Sequence, residues 1–415
     1  MATVAIGSVT IEYEVLELPE YLGTGKFIHH KISRVTLNEV DLRQRVYSQF
    51  GSIEFHLEPR RPDSKSAVMP GEYEEIFQAI FLAADELYKT DQTCLAASLV
   101  TFLFDSFTRL WRQLIDNAQH IMGIQLWREV LSLTHRLEKD TGKSVHKGSP
   151  YAFLAYTYLM IGDISTGFSY IYSAVEEDRR LNDVCPAIKY PDNAPVYLTA
   201  TLVPDKRNIM FPLVSEVRLA LEDYLNLYHS EFGSTLSMTE FDRRFLHNPD
   251  WETIKYYFVL AFWTIFEYRR KVTLDLMQND FSRLKNADWL FSLCLVINRL
   301  LHEHPYYTCP SGYLGPEITN YVTRKGLMRQ NDFEALRAQE NFNRASPDQL
   351  IPRLLSASLQ YGGVQVRREI QYLLVAWKLR NFSGHNIQIQ NVIASRFEEI
   401  VKVLMCDIFL LVEEH

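Results

Sequence analysis

The chain of 415 residues is 47% hydrophobic, 23% charged and 13% aromatic, with a formal net charge of −8. That apolar content offsets the entropy of ordering and excludes a disordered chain. The acidic total excludes a protein whose whole surface is a basic footprint for duplex nucleic acid, and leaves local charge to decide its partners. The length sets an expectation of two or three domains.

Residues 1–60 read as a small β-containing region. Period-two alternation over Thr10–Val15, Phe27–Ile32 and Ser52–Leu57 predicts strands with one buried face. The stretch Glu58-Pro-Arg-Arg-Pro-Asp-Ser-Lys-Ser then breaks the pattern and reads as a linker. From Tyr73 the sequence turns helical. Ile76, Ile80, Phe81, Ala84 and Leu87 recur at three-to-four spacing, and similar stripes follow over 93–120, 124–138, 151–161 and 165–177. Residues 151–178, with Gly162-Asp163 at a turn and small Gly167 and Ala174 where two helices would meet, resemble one tetratricopeptide-type hairpin. A region of helical hairpins is therefore expected over 71–240, interrupted by the proline-rich 181–206 and closed by a helix at 213–232. Four strong helices are expected at 251–272, 287–303, 365–380 and 391–412, with shorter amphipathic pieces near 317–326, 331–341 and 348–359. They define a C-terminal helical domain over 248–415. The fold class that results is mainly α.

Cys94, Cys185, Cys294, Cys309 and Cys406 are scattered, odd in number and without a CxxC pair, which reads as five reduced thiols in a cytoplasmic protein. No basic stretch leads an apolar one at the N-terminus. The longest apolar runs, 256–266 and 289–297, fall short of the roughly 20 residues that cross a bilayer, so no membrane partner is expected. Gly23-Thr-Gly-Lys26 lacks the full phosphate-loop pattern. His29-His30 falls on a strand, where neighbours point to opposite faces, and His302 and His304 cannot share one helix face. No metal or other cofactor is expected.

The pattern that carries chemistry is Leu379-Arg380-Asn381-Phe382-Ser383-Gly384-His385, at the junction of two helices with apolar stripes. The upstream stripe is Val366, Ile370, Leu373, Leu374 and Trp377, and the downstream one runs from Val392 to Leu411. Arg380 offers a permanently charged fork to phosphate oxygens, Asn381 a neutral hydrogen bond, and His385 a group that titrates near neutral pH. Spacing alone does not single the motif out, because Arg299 and His304 repeat it inside a continuous helical pattern. The adjacent Asn381 and the helix–loop–helix setting do. Arg367, Arg368 and Lys378 make this neighbourhood locally basic and are the candidate RNA contacts, with Tyr361, Tyr372 or Phe382 as stacking rings.

Arg-Asn-x-x-x-His near the end of a helical domain resembles the signature of the HEPN-superfamily ribonucleases, over about the last two-fifths of this chain. The resemblance implies a metal-independent endoribonuclease. Arg380, Asn381 and His385 would serve in-line attack of a 2′-OH on single-stranded RNA, leaving a 2′,3′-cyclic phosphate. It also implies a homodimer with both motifs on one cleft, and a setting in prokaryotic defence or toxin action. The last helix, apolar around much of its girth, reads as either the dimer face or part of a larger core. The helical-hairpin region is then a platform for a regulatory protein partner. The rival readings are a non-catalytic interaction protein and an RNA- or nucleotide-binding domain of the same type that does not cut.

Overall fold

In the computed structural model, which describes residues 1–19, 26–48, 71–184, 194–271, 280–304, 312–383 and 391–415, the chain opens with an antiparallel sheet in sequential order. Its strands are β1 (Ala2–Ile6), β2 (Val9–Pro19), β3 (Lys26–Leu37) and β4 (Val40–Asp41). Alternation sets its faces. Val9 pairs with Leu37 and Ile11 with Val35, all four buried, while Thr10, Glu12, Arg34 and Thr36 between them reach solvent. Asn38 and Glu39 both take positive φ in the tight turn into β4. The Asp41 carboxylate then accepts from the main-chain N–H groups of Arg43 (2.9 Å) and Gln44, which starts the short helix α1 (Leu42–Ser48). Two expectations fall on other ground: the strand over Ser52–Leu57 and the linker after it lie outside the described residues.

Helices follow: α2 (Gly71–Lys89), α3 (Thr93–Asp116), α4 (His120–Thr141), α5 (Gly148–Met160), α6 (Ile164–Val184) and α7 (Pro195–Ala200). Their apolar stripes converge on Phe77, Phe104, Phe107, Trp111 and Trp127, all buried. The Trp111 indole N–H donates to Thr157 Oγ1 at 2.8 Å, which satisfies its polar atom inside the core. Gly162, with φ of +85°, turns α5 into α6. A methyl group on Gly167 would stand 2.8 Å from Leu159 Cδ2 and 3.3 Å from the Ala155 carbonyl, so the close approach of these two helices requires the hydrogen side chain. Strands and helices up to Ala200 form one compact unit.

The second unit, Thr201–His415, holds α8 (Phe211–Phe232), α9 (Met238–Phe241), α10 (Glu252–Lys271), α11 (Asp280–His302), α12 (Leu314–Arg324), α13 (Gln330–Gln339), α14 (Pro347–Leu354), α15 (Arg368–Ser383), α16 (Asn391–Ser395) and α17 (Phe397–Glu414). Residues 201–240, assigned by pattern to the hairpin region, belong here instead, because α8 packs on α17. A two-stranded hairpin, β5 (Gln360–Tyr361) and β6 (Val364–Gln365), turns at Gly362 and Gly363 with positive φ and delivers the chain into α15. The expected helix over 391–412 is two helices, broken at Arg396.

Helix α17 is the axis of this unit. Thirteen of its residues are buried, with α8, α11 and α15 packed around it. Its apolar girth is therefore filled by its own unit, which resolves the choice left open by the sequence in favour of a core helix and removes it as a free dimer face.

The cysteine reading needs correction. Cys294 and Cys406 are free and buried, but Cys94 is disulfide-bonded. Separation along the chain does not report which thiols meet in space. Among the described residues one helix, Thr93–Asp116, is long and apolar enough to cross a membrane by length and composition, and 67% of its apolar window is buried within the protein.

Candidate functional site at the end of helix α15

Helix α15 carries Arg380 and Asn381 in its last turn, and the side chains before them fix where that turn lies. Trp377 is held on three sides. Its ring lies 4.9 Å from the Phe342 ring, the Arg337 guanidinium stacks on it at 3.9 Å, and it covers Gly315 at the start of α12. A methyl group on Gly315 would stand 2.3 Å from Trp377 Cζ2, so only glycine lets the indole settle. Lys378 donates from Nζ to the Phe342 carbonyl at 2.9 Å. Gln371, fully buried, donates to the Val366 carbonyl and accepts from Arg368 at 2.8 Å each. The Lys378 and Gln371–Val366 bonds tie α15 to the chain around it, and with the packing of Trp377 they leave its last turn little freedom.

The segment that follows is anchored at its far end too. The Asp348 carboxylate, on α14, accepts from the main-chain N–H groups of Asn391 (3.2 Å) and Val392 (2.6 Å) and so caps α16. His385, with the rest of 384–390, lies outside the described residues.

Arg380 is half-buried and Asn381 is exposed. The Arg380 Nε is buried without a hydrogen-bond partner, and among the described residues no carboxylate pairs with its guanidinium. A buried, unmatched N–H of this kind costs about 1–3 kcal/mol unless something accepts from it, and phosphate oxygens can do so while also meeting the rest of the guanidinium fork. In the interior, Cys294 on α11 feels both Arg380 and Asp407 on α17. Burial and the Asp407 carboxyl push the Cys294 thiol up, and Arg380 opposes that shift. Burial alone raises Asp407 well above the usual carboxylate range, since neither of its oxygens has a partner. That direction favours the neutral form of Asp407, which carries no charge to set against Arg380.

The candidate RNA contacts separate. Arg367 is exposed, as a surface contact must be. Arg368 is tied into the protein, bonding Gln371 and the Leu355 carbonyl and pairing with Glu231 at 3.3 Å, which also pairs with Lys402. Lys378 is corrected outright as a surface group. Its ammonium is buried on the Phe342 carbonyl, and burial lowers its pKa. Tyr372 is buried with its ring 5.7 Å from Phe232, leaving Tyr361 and Phe382 as the partly exposed rings. Sequence reasoning missed Asp407, which sits in an apolar run as one acidic letter and gives no sign of burial until three helices close over it. Among the described residues no three His, Cys, Asp or Glu side chains gather to hold a metal ion. No protein-family model, curated protein or solved structure matches the chain.

Proposed function

We propose that the second unit is an endoribonuclease acting on single-stranded RNA, with Arg380, Asn381 and His385 as its working groups. The observation that carries this reading is the Arg380 guanidinium, half-buried at the end of a rigidly held helix with its Nε unpartnered and, among the described residues, no carboxylate paired with it. A fixed, unneutralised fork beside an exposed amide supports binding of a phosphodiester whose negative charge grows during reaction. In the step proposed, the ribose 2′-oxygen loses its proton as it bonds to phosphorus. The bond from phosphorus to the 5′-oxygen breaks as that oxygen gains a proton, which leaves a 2′,3′-cyclic phosphate and a 5′-hydroxyl. His385 is of the type that moves such protons near neutral pH, and Arg380 and Asn381 hold the phosphate oxygens. Two copies with their Arg380 corners on one cleft would make the site composite. With α17 enclosed, the meeting face would be formed by other elements. Defence or toxin action, under control of a protein partner held by the helical hairpins of the first unit, is the setting that fits such an activity.

The test is incubation of labelled single-stranded RNA with the protein in EDTA, comparing wild type with Arg380→Ala and His385→Ala. Cleavage by wild type and a loss of 10²-fold or more in each variant is expected. Binding without cleavage by wild type, or cleavage that survives both substitutions, overturns the reading.

A further inference from the structure

The first unit contains a cavity of about 540 Å³, within the range of small-molecule sites, that the ribonuclease reading does not use. Its polar wall includes His30 on β3, Arg43 on α1, Asp105 on α3, and the pair His146 and Asp178. His146 Nε2 lies 2.9 Å from Asp178 Oδ1, with the two side chains 14% and 7% exposed. Burial raises the Asp178 carboxyl above its usual range, and the hydrogen bond from His146 opposes that shift.

This pair is built with unusual support. His146 stands in the connection between α4 and α5, where the main chain on either side is bonded to charged side chains. The Val145 N–H donates to Glu138 at 2.7 Å and the Lys147 N–H to Glu177 at 2.9 Å. The Val145 carbonyl accepts from both Lys147 Nζ and Arg180 at 2.9 Å. Lys147, itself buried, closes the network on Glu138. Gly148 completes it, because a methyl group there would stand 2.6 Å from His146 Cε1 and 2.8 Å from Asp178 Oδ1. Charge-assisted bonds to a connecting segment that needed only to join two helices are the mark of a side chain held in place for a ligand.

The unmet polar atoms on this wall indicate the ligand. Arg43 Nε and His30 Nδ1 are buried without partners, and the Arg43 guanidinium lies over the Phe102 ring, 4.2 Å from its centre. Arg43 Nε is a donor and His30 Nδ1 donates in one of its two tautomers, so acceptor oxygens can meet both. Phe102, Phe153, Leu181 and Val196 supply an apolar share of the lining. We propose that this cavity binds a small phosphate monoester with a flat ring, of the size of a nucleoside monophosphate. Arg43 and His30 hold the phosphate, the His146–Asp178 pair holds a polar group of the ligand, and the ring lies on the apolar wall. The inference is independent of the ribonuclease reading and survives its failure.

The test is titration calorimetry on the full chain with each of the four common nucleoside 5′-monophosphates, adenosine and inorganic phosphate, with no RNA present. At least one monophosphate is expected to bind below millimolar, at least tenfold more tightly than adenosine or phosphate alone. Arg43→Gln and Gly148→Ala should each weaken it tenfold or more, and Arg270→Gln in the second unit should leave it unchanged. Circular dichroism melts of each variant establish that the first unit is folded. Failure of all four monophosphates, equal binding of phosphate alone, or unchanged binding by a folded Arg43→Gln protein overturns the proposal.

Discussion

Asp407 offers the sharpest check on how the second unit is assembled. The residue is 1% exposed, neither carboxylate oxygen has a partner, and burial alone raises its pKa from 3.8 to a value well above it. In the unfolded chain it ionises near pH 4, whereas in the folded protein burial holds its proton to higher pH. Between those two pKa values the folded state binds one more proton than the unfolded state. Stability from this group is therefore fully present below about pH 4 and is lost as pH rises, by about 1.4 kcal/mol per pH unit until the folded pKa is reached. Asp407→Asn keeps the shape and removes the titration. Its amide has no partner either, so its absolute stability at one pH is a poor test, but its slope is not. Urea unfolding of wild type and Asp407→Asn in steps from pH 4 upward should show the variant gaining on wild type as pH rises, with a slope of about 1.4 kcal/mol per unit below the folded-state pKa. A difference that stays flat from pH 4 upward refutes a buried Asp407 whose carboxyl is shifted up by burial.

Three further expectations rest on single contacts. Gly315→Ala drives a methyl group into Trp377 Cζ2, and should lower the stability of the second unit by about 1–3 kcal/mol in thermal melts while weakening RNA cleavage, since Trp377 sets the last turn of α15. Asp348→Ala removes the cap of α16, at a cost of about 1 kcal/mol by denaturant titration, and should reduce cleavage by more than that small loss explains, because the far anchor of the His385 segment is gone. His304 is fully buried, and burial, with His415 and Lys325 nearby, pulls its pKa down to about 4. Its stabilising share is full above pH 6.5 and lost as pH falls through about 4, so wild type should gain on His304→Gln by up to about 3 kcal/mol between pH 4 and 7. An unchanging difference between them contradicts the burial argument.

What was legible in the chain followed from periodicity. The alternation around Val9, Ile11, Val35 and Leu37 showed strands because one face of the sheet is buried, and the stripes of α3 to α6, α8 and α10 showed helices for the same reason. Gly167 was legible as a close helix contact because few other residues fit one. Short elements were not. Helix α1 is a seven-residue piece begun by a side-chain cap, and the β5–β6 hairpin was hidden although Gly362-Gly363 is its turn signal. Charge counts misled at Lys378. A basic residue beside Arg380 reads the same whether it faces solvent or a buried carbonyl, and only the position of Phe342 decides it. His146 and Asp178, thirty-two positions apart, share no pattern that a sequence displays; their pairing needed the connection between α4 and α5 to be folded back over α6.

The central claim is that RNA is cut at the Arg380 corner by its own 2′-hydroxyl, and one substrate tests it directly. A single-stranded RNA carrying a single 2′-deoxynucleotide at the mapped cleavage position should be left intact there by the wild-type protein in EDTA. The all-ribose parent should yield a fragment ending in a 2′,3′-cyclic phosphate, read by mass spectrometry. Cleavage of the deoxy-substituted position, or a parent product ending in a 3′-hydroxyl, contradicts the account.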